Sequence, residues 1–293
     1  MTKVIVCGLG AVGLTFSSKL NQCGGLKILV DSERLKRYSV QKPVLNGEVQ
    51  NFEYITPESE KFEADLVMIC TKFSGLNSAL EYIRNFVGEK TRIISLINGI
   101  SSEEVIKEKY PQARVLKAYF IGHSAVRNGN SVTQDGVAKI VCERDLFIEE
   151  LFSKCGIDFE FPEDIDYSMW LKFALNVFSN QTSAILKMTF GELKQNAAFI
   201  EFAKKIVQEV KLIAEKKGIK NLENLEKDSL SALSLMCNEG KTSMLQDILA
   251  KRPTEVDIFA GDIIRLGHLY NVPTPYNQVL YDLIKIEEER LGI

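Results

Sequence analysis

Three polar side chains recur at four-residue intervals within an apolar stretch of the second half of the chain. They are Lys172, Asn176 and Asn180, and their neighbours include Trp170 and Phe173. The four-residue spacing places all three on one face of a helix. Buried amide and ammonium groups are costly without partners, so we expect this stripe to line a cleft that holds a polar ligand. The alternative is a solvent-exposed face, although such a face would favour stronger helix formers than asparagine.

Lys172 is the residue of this stripe that could move a proton. Because apolar surroundings disfavour the charged form of lysine, we expect partial burial beside Trp170 and Phe173 to lower the pKa of Lys172 towards neutrality. Its ammonium group could then protonate a carbonyl oxygen as hydride arrives at the carbon, and accept the proton back in the reverse reaction. The segment therefore makes Lys172 the candidate general acid for a reaction at a carbonyl group.

A glycine-rich turn near the start of the chain is the second chemical feature. It matches G-x-G-x-x-G, follows a short apolar strand and opens an amphipathic helix, which is the context of a dinucleotide-binding turn. The first glycine allows the tight turn, the second lets the backbone approach a pyrophosphate, and the third lets helix and strand pack closely. Packing alone could also require these glycines, but the context favours a dinucleotide. The turn consists of Gly8, Leu9, Gly10, Ala11, Val12 and Gly13.

An acidic residue, Asp31, ends the second predicted strand, close to the position about 20 residues after the turn that contacts the ribose of a dinucleotide. Its carboxylate could accept hydrogen bonds from the ribose and repel a 2′-phosphate, which favours NADH. Arg34, Lys36 and Arg37 follow it and could bind a 2′-phosphate instead, or could simply be solvated charges at a helix start. The residues alone favour NADH and leave NADPH open.

The first half of the chain alternates short apolar runs with amphipathic segments. Runs that are apolar at nearly every position are typical of strands buried on both faces of a parallel sheet, so we predict a doubly wound, Rossmann-like α/β domain. Residues 122–142 are richer in Gly, Asn, Ser and Thr and indicate antiparallel strands at a sheet edge. A short acidic segment then predicts a boundary between a dinucleotide-binding domain, 1–165, and a substrate-binding and catalytic domain, 166–293. The second domain should be helical at 167–187, 197–217, 225–239, 254–271 and 276–291.

Composition excludes several other classes. A length of 293 residues suits about two domains, and a net charge of −3 lacks the basic surface of a nucleic-acid binder. No apolar run approaches the roughly 18 residues that cross a membrane, and the chain enters a strand-like run at once without a signal peptide. The six cysteines are scattered without a C-x-x-C pair, which favours free thiols in a cytoplasmic protein. No cluster of metal-ligating residues predicts a metal site.

Further motifs follow in an order that resembles the ketopantoate reductase (2-dehydropantoate 2-reductase) family. The resemblance covers essentially the whole chain and rests on the ordered set rather than on a single motif. Besides the glycine turn and the stripe, its motifs are Cys70-Thr71-Lys72, Asn98-Gly99, Ser243 to Asp247, Pro253 to Asp257, and Val272 to Pro275 with Asn277.

The resemblance implies an enzyme that reduces ketopantoate to pantoate in pantothenate and coenzyme A synthesis. It implies a Rossmann domain that carries NADPH or NADH and a helical domain that closes over it, in a monomer or homodimer. In that family the lysine matching Lys172 is the general acid, and the glutamate matching Glu255 binds the substrate hydroxyl. The lysine matching Lys72 contacts cofactor and substrate, and Asn98 is likewise expected to contact both the cofactor and the substrate. The residues matching Asn98, Asn176, Asn180 and Ser243 hold the keto acid.

Several of these residues have plainer explanations when the sequence is taken alone. Lys72 and Asn98 each follow an apolar strand, where open α/β sheets bind ligands. Lys72 could nevertheless be a surface lysine, and Asn98-Gly99 a simple turn. Glu255 could be an acid in the first turn of a helix, favouring its dipole, and Ser243 could be a helix-start hydroxyl.

Three residues depart from the family pattern. Phe190 precedes Gly-Glu-Leu where the family usually has asparagine, which removes a substrate contact, and Ala260 stands where asparagine is frequent. Asp31 stands where many members have a basic residue for the phosphate of NADPH. Three alternatives therefore stay open: a reductase of another small 2-keto acid, a 3-hydroxy-acid or polyol-phosphate dehydrogenase, and a dinucleotide-binding regulator. The Ser243 to Asp247 motif argues against the dehydrogenase, and a regulator has no need of Lys172 in an apolar setting.

Overall fold

Most strands of the protein are short, as expected from brief apolar runs, and the exceptions are Ala118–Asn128 and Ser131–Cys142. The computed structural model describes residues 2–293, with positions 123 and 124 described by their backbone alone. The strands are β1 (Val4–Cys7), β2 (Leu26–Leu29), β3 (Val44–Leu45), β4 (Glu48–Val49), β5 (Tyr54–Ile55), β6 (Leu66–Ile69), β7 (Arg92–Ser95), β8 (Arg114–Leu116), β9 (Ala118–Asn128), β10 (Ser131–Cys142) and β11 (Asp158–Glu160).

Twelve α-helices accompany these strands in the described part of the chain. The helices are α1 (Ala11–Asn21), α2 (Ser32–Val40), α3 (Leu76–Ile83), α4 (Ser102–Lys109), α5 (Leu146–Lys154), α6 (Ile165–Leu186), α7 (Phe190–Gln195), α8 (Ala197–Lys216), α9 (Leu225–Ser234), α10 (Ser243–Leu249), α11 (Ala260–Tyr270) and α12 (Pro275–Leu291). None of the helices that the structure describes is long and apolar enough to cross a membrane. The chain divides into two compact units, the first ending at Ile165 and the second comprising Asp166–Ile293.

A six-stranded parallel sheet forms the centre of the first unit. Its strand order is β5-β2-β1-β6-β7-β8, and every neighbouring pair is parallel. Counted along the chain, this is the order 3-2-1-4-5-6 of a doubly wound fold. The prediction of a Rossmann-like α/β domain is therefore confirmed. The order reverses between β1 and β6, which is where such sheets bind ligands, at the carboxyl ends of the strands.

Alternate residues of β1 pack into two separate hydrophobic cores on the two faces of the sheet. Val4 and Val6 pack in one core with Phe16 of α1, whereas Ile5 and Cys7 pack in the other with residues of α3. Burial on both faces explains why these strands are apolar at nearly every position.

The antiparallel strands expected within 122–142 are present, but they belong to a second sheet rather than to the edge of the first. β9 and β10 form a long hairpin. β10 also pairs with other strands, and the strand order of this second sheet is β11-β10-β3-β4. A disulfide between Cys23 and Cys155 joins the ends of α1 and α5. The expectation of free thiols is therefore wrong for this pair, whose members lie 132 residues apart without a local motif.

The described residues of the second unit form helices and short 3-10 turns, without strands. One predicted helix is wrong in detail. The segment 254–271 contains a three-residue 3-10 helix, Val256–Ile258, followed by α11. The side chain of Thr254 accepts a hydrogen bond from the backbone N–H of Val256 at 3.3 Å, which favours a local turn over a continuous helix.

Candidate functional site

Close packing of the backbone requires glycine at two of the three motif positions. At the third position there is open space that a ligand could occupy. Gly8 has a φ of +97°, and a Cβ there would lie 2.8 Å from the backbone of Cys70 and Thr71. A Cβ at Gly13 would lie 1.8 Å from the carbonyl oxygen of Gly8. A Cβ at Gly10 would meet only the Cys70 carbonyl oxygen, at 4.0 Å. The fold thus leaves open space beside Gly10, where the backbone of a dinucleotide-binding turn approaches pyrophosphate.

The start of α1 carries positive potential towards this space. Gly10 precedes the helix, and no side chain caps its N-terminus, so the first N–H groups and the helix dipole suit a phosphate. The guanidinium of Arg127 lies beside the turn, with Nη1 donating to the Leu9 carbonyl at 3.1 Å and Nε to the Gly129 carbonyl at 3.0 Å. The sequence analysis missed Arg127 because this contact joins residues 118 positions apart.

Lys72 and Asn98 lie at the same edge of the sheet as the glycine turn. In the paired strands Cys7 is opposite Ile69, and Ile69 is opposite Ser95, so the residues that follow β1, β6 and β7 emerge side by side. Lys72 is exposed and precedes a 3-10 turn, whereas Asn98 is half-buried. The first unit therefore brings together the turn and both predicted contacts along three neighbouring strand ends.

Asp31, considered above as a contact of the cofactor ribose, and Arg34, considered as a contact of a 2′-phosphate, are hydrogen-bonded to each other. Asp31 caps α2, since its Oδ1 accepts the backbone N–H of Arg34 at 2.6 Å. Its Oδ2 pairs with Nη1 of Arg34 at 3.0 Å. The charge of Arg34 is thereby compensated by a carboxylate two residues past the end of β2, at the ligand-binding edge of the sheet.

In the second unit the polar stripe of α6 becomes more buried along its length. Lys172 and Asn176 are half-buried, and Asn180 is 4% exposed. Asn180 Oδ1 accepts hydrogen bonds from Ser243 Oγ at 3.0 Å and from the Met244 N–H at 3.2 Å. Asn180 Nδ2 donates to Asn176 Oδ1 at 3.3 Å. Asn180 thus joins the stripe to the start of α10, and both of its buried polar atoms find hydrogen-bond partners within the protein.

Ser243 has a role other than capping its own helix. Thr242 caps α10 by accepting the N–H of Leu245 at 3.2 Å, so the Ser243 hydroxyl is directed to Asn180 instead. Ser243, Asn180 and Asn176, which the resemblance implies hold the keto acid, therefore form one connected row of polar groups.

Aromatic packing connects the neighbourhood of Lys172 to the segment that carries Glu255. Trp170 and Phe173 are buried, and their rings meet edge to face at 5.6 Å. Phe173 also contacts Phe259, with ring centroids 6.4 Å apart. Because Phe259 follows the 3-10 helix that begins after Glu255, this contact ties α6 to that segment.

Glu255 does not serve as the first-turn acid of a long helix. It is half-buried and precedes the 3-10 helix, and its side chain makes no capping bond to it. The next α-helix begins only at Ala260, which is fully buried. The plainer explanation for Glu255 therefore loses its structural basis.

Phe190, the main departure from the family pattern in the second unit, begins α7. Thr189 and Glu192 form a capping box around this helix start. The Phe190 N–H donates to the Gly240 carbonyl at 3.0 Å, and its ring lies so close to Gly240 that a Cβ there would be 3.1 Å away. An apolar ring thus occupies the position where the family pattern has an amide.

Comparison with known sequences gives matches over both units. The family model described as Ketopantoate reductase PanE/ApbA matches residues 4–144, and the one described as Ketopantoate reductase PanE/ApbA C terminal matches residues 164–288. A 2-dehydropantoate 2-reductase of Streptococcus pyogenes serotype M6 is 24% identical, and one of Pyrococcus horikoshii is 28% identical. In both comparisons 99% of this chain and 99% of the relative are covered.

Solved structures with the same fold include two that cover the whole chain. The ternary structure of D-mandelate dehydrogenase with NADH and anilino(oxo)acetate has a TM-score of 0.88 at 23% identity. A PanE/ApbA family ketopantoate reductase from Ralstonia eutropha JMP134 has a TM-score of 0.86 at 21% identity. Each covers 100% of both chains. At these identities the likeness establishes the fold.

Proposed function

The chain belongs to the ketopantoate reductase family, and from this premise we propose that it is a nicotinamide-dependent oxidoreductase that reduces ketopantoate to pantoate. The observation that carries the proposal is the polar row of the second unit, where Asn180 joins Asn176 to Ser243 on the helix that bears Lys172. A dinucleotide-binding regulator would not require such a row. The reaction class is reduction of a 2-keto acid to a 2-hydroxy acid.

The residues of the first unit fit a nicotinamide dinucleotide. The open space beside Gly10 and the uncapped start of α1 suit its pyrophosphate, and Arg127 adds a positive charge beside the turn. Lys72 and Asn98 would contact the cofactor from the adjoining strand ends. When bound, the reduced cofactor supplies a hydride to the carbonyl carbon of the keto acid.

The second unit supplies the proton and holds the substrate in this proposal. Lys172 Nζ gives its proton to the carbonyl oxygen as the hydride adds to the carbon, which yields the hydroxyl of pantoate, and Lys172 is then reprotonated from solvent. Glu255 accepts a hydrogen bond from the hydroxyl that ketopantoate already carries. Asn176 and Ser243 bind the keto acid, and Asn180 keeps them in register through its own hydrogen bonds.

We propose that NADH is used at least as well as NADPH. The support is the Asp31–Arg34 pair, since a 2′-phosphate near it would meet the Asp31 carboxylate while the Arg34 charge is already compensated. Asp31→Asn retains an oxygen that can cap α2 but removes the charge and releases Arg34. We expect kcat/KM with NADPH to rise about tenfold or more, the effect of about 1.4 kcal/mol. A native enzyme that strongly prefers NADPH, unchanged by Asp31→Asn, would show that Asp31 does not face the ribose.

The function is tested by turnover of ketopantoate, with NADH and NADPH oxidation measured separately and pantoate identified as the product. Saturable oxidation that depends on ketopantoate supports the proposal. Tight NADH binding without turnover of any 2-keto acid would favour a regulator instead.

A second candidate is a reductase of another small 2-keto acid, and Phe190 is the observation that favours it. Its ring packs on Gly240, and the amide that the family pattern offers to the substrate is missing, so a keto acid that lacks a partner for that amide would lose nothing here. A panel of 2-keto acids with and without hydroxyl groups separates the two candidates by their kcat/KM values.

A further inference from the structure

Three side chains of helix α12 reach the segment that carries Glu255. They are Tyr281, Lys285 and Glu288, and their spacing of four and three residues places them on one face of the helix. We call these three residues the α12 clamp. All belong to the second unit, as does the segment that they contact.

The clamp holds the segment just before Glu255 through the backbone. The N–H of Thr254 donates to Oε1 of Glu288 at 2.8 Å, and Glu288 is only 7% exposed. A buried carboxylate that accepts a backbone N–H fixes that peptide strongly, because losing the bond would leave a buried carboxylate oxygen without a donor.

The clamp also holds the segment just after Glu255. The hydroxyl of Tyr281 donates to Oδ1 of Asp257 at 2.8 Å. Lys285 Nζ lies 3.2 Å from Oδ2 of Asp257 and 3.2 Å from Oε2 of Glu288, so it bridges the two carboxylates. The hydrogen bond to Asp257 raises the pKa of Tyr281 further above neutrality, consistent with a protonated hydroxyl that donates to the carboxylate.

The segment depends on such external contacts because it has little regular structure of its own. Between Thr254 and α11 it forms only a three-residue 3-10 helix, and Glu255 makes no capping bond to that helix. The position of the segment is therefore set by what contacts it, which includes Phe173 of α6 through Phe259 and the clamp through Thr254 and Asp257.

We infer that Tyr281, Lys285 and Glu288 are positioning residues that fix the carboxylate of Glu255 for recognition of the substrate hydroxyl. This inference rests on the proposed function, in which Glu255 accepts that hydrogen bond. A misplacement of about 1 Å can cost as much as 10²-fold in rate. A loosened clamp should therefore impair discrimination between substrates with and without the hydroxyl.

The test compares Tyr281→Phe and Glu288→Ala with Glu287→Ala. Glu287 lies on the same helix and pairs with Lys187 and Arg290 instead of the Glu255 segment, so it is a matched control. The readouts are the kcat/KM ratio for ketopantoate over 2-ketoisovalerate, the Kd for NADH, and hydrogen exchange of a peptide covering 253–259.

We expect both clamp variants to lower the substrate ratio about tenfold, chiefly through a higher KM for ketopantoate, while the Kd for NADH changes less than about twofold. Exchange over 253–259 should accelerate in both, and the control should match the native protein. Glu288→Gln, which keeps an acceptor for Thr254, should restore most of the ratio.

An unchanged ratio in Tyr281→Phe, which removes one hydroxyl and keeps the ring, would overturn the inference even if Glu288→Ala fails to fold. Faster exchange with an unchanged ratio would also overturn it, since the clamp would then hold the segment without affecting recognition. If the native protein itself shows no preference for ketopantoate, the proposed function fails first, and that result is distinguished by the native ratio alone.

Discussion

The carboxyl edge of the sheet in the first unit and the polar row in the second are built in different ways. The edge is built largely from backbone, since Gly8 and Gly13 are required by close packing and α1 offers its N–H groups, and the side chains of Lys72 and Asn98 stand beside it. The row is made of side chains from separate helices, linked where Asn180 meets Ser243. A backbone site depends on a few glycines, whereas a side-chain site depends on each hydrogen bond and on what holds it in place.

The largest difference between the two regions should appear when the proton donor is removed. Lys172→Ala should lower kcat by about 10²-fold or more, the usual effect of losing a general acid. The Kd for NADH should stay nearly unchanged, because the proposed cofactor site lies at the backbone edge of the first unit and does not include Lys172. Lys227→Ala, an exposed lysine of α9, is the control. Near-native turnover of Lys172→Ala would remove Lys172 from the mechanism.

Two glycine variants test whether the edge works through its backbone. Gly13→Ala places a Cβ against the Gly8 carbonyl and should lower the free energy of unfolding by about 1–3 kcal/mol. The Cβ of Gly10→Ala has room in the folded chain, so the free energy of unfolding should change by less than about 1 kcal/mol. Its methyl group should nonetheless weaken NADH binding about tenfold or more, by blocking the pyrophosphate. Calorimetry and NADH titration separate the two effects, and native affinity in Gly10→Ala would refute this use of the space.

Neighbouring asparagines of the stripe should separate structure from binding. Asn180→Ala leaves the Ser243 hydroxyl and the Met244 N–H without their acceptor, and should lower the free energy of unfolding by roughly 1–3 kcal/mol. Asn176→Ala removes one long hydrogen bond, the 3.3 Å contact that Asn180 Nδ2 makes with Asn176 Oδ1, so it should lower the free energy of unfolding by about 1 kcal/mol, less than Asn180→Ala, and act mainly on the KM for the keto acid. Equal destabilisation by both variants, measured by thermal unfolding, would contradict the distinction.

Patterns of neighbouring residues predicted the secondary structure and which side chains share a helical face. Apolar runs indicated the parallel sheet, and four-residue spacing placed Lys172, Asn176 and Asn180 on one helical face. Contacts between distant positions left no such signal: Arg127 with the glycine turn, Cys23 with Cys155, and Asn180 with Ser243. These pairs form only when the chain folds, so no periodicity records them.

The helix predicted over 254–271 failed for a related reason. Its apolar pattern suits a helix. However, the Thr254 side chain accepts a hydrogen bond from the Val256 N–H, and the Thr254 N–H donates to Glu288 of α12. Tertiary hydrogen bonds thus override the local preference where Glu255 is located. The resemblance named Glu255, whereas the residues alone favoured a plain helix-start acid.

The central claim is that side chains of the second unit recognise ketopantoate, and one ratio tests it most directly. It is kcat/KM for ketopantoate divided by kcat/KM for 2-ketoisovalerate, measured in the native enzyme and in Glu255→Ala. A site that hydrogen-bonds a substrate hydroxyl rejects the analogue lacking it, because its own polar atoms stay unpaired. We predict a native ratio of about 10²-fold or more that falls close to one in Glu255→Ala. The same ratio in both proteins would contradict the account.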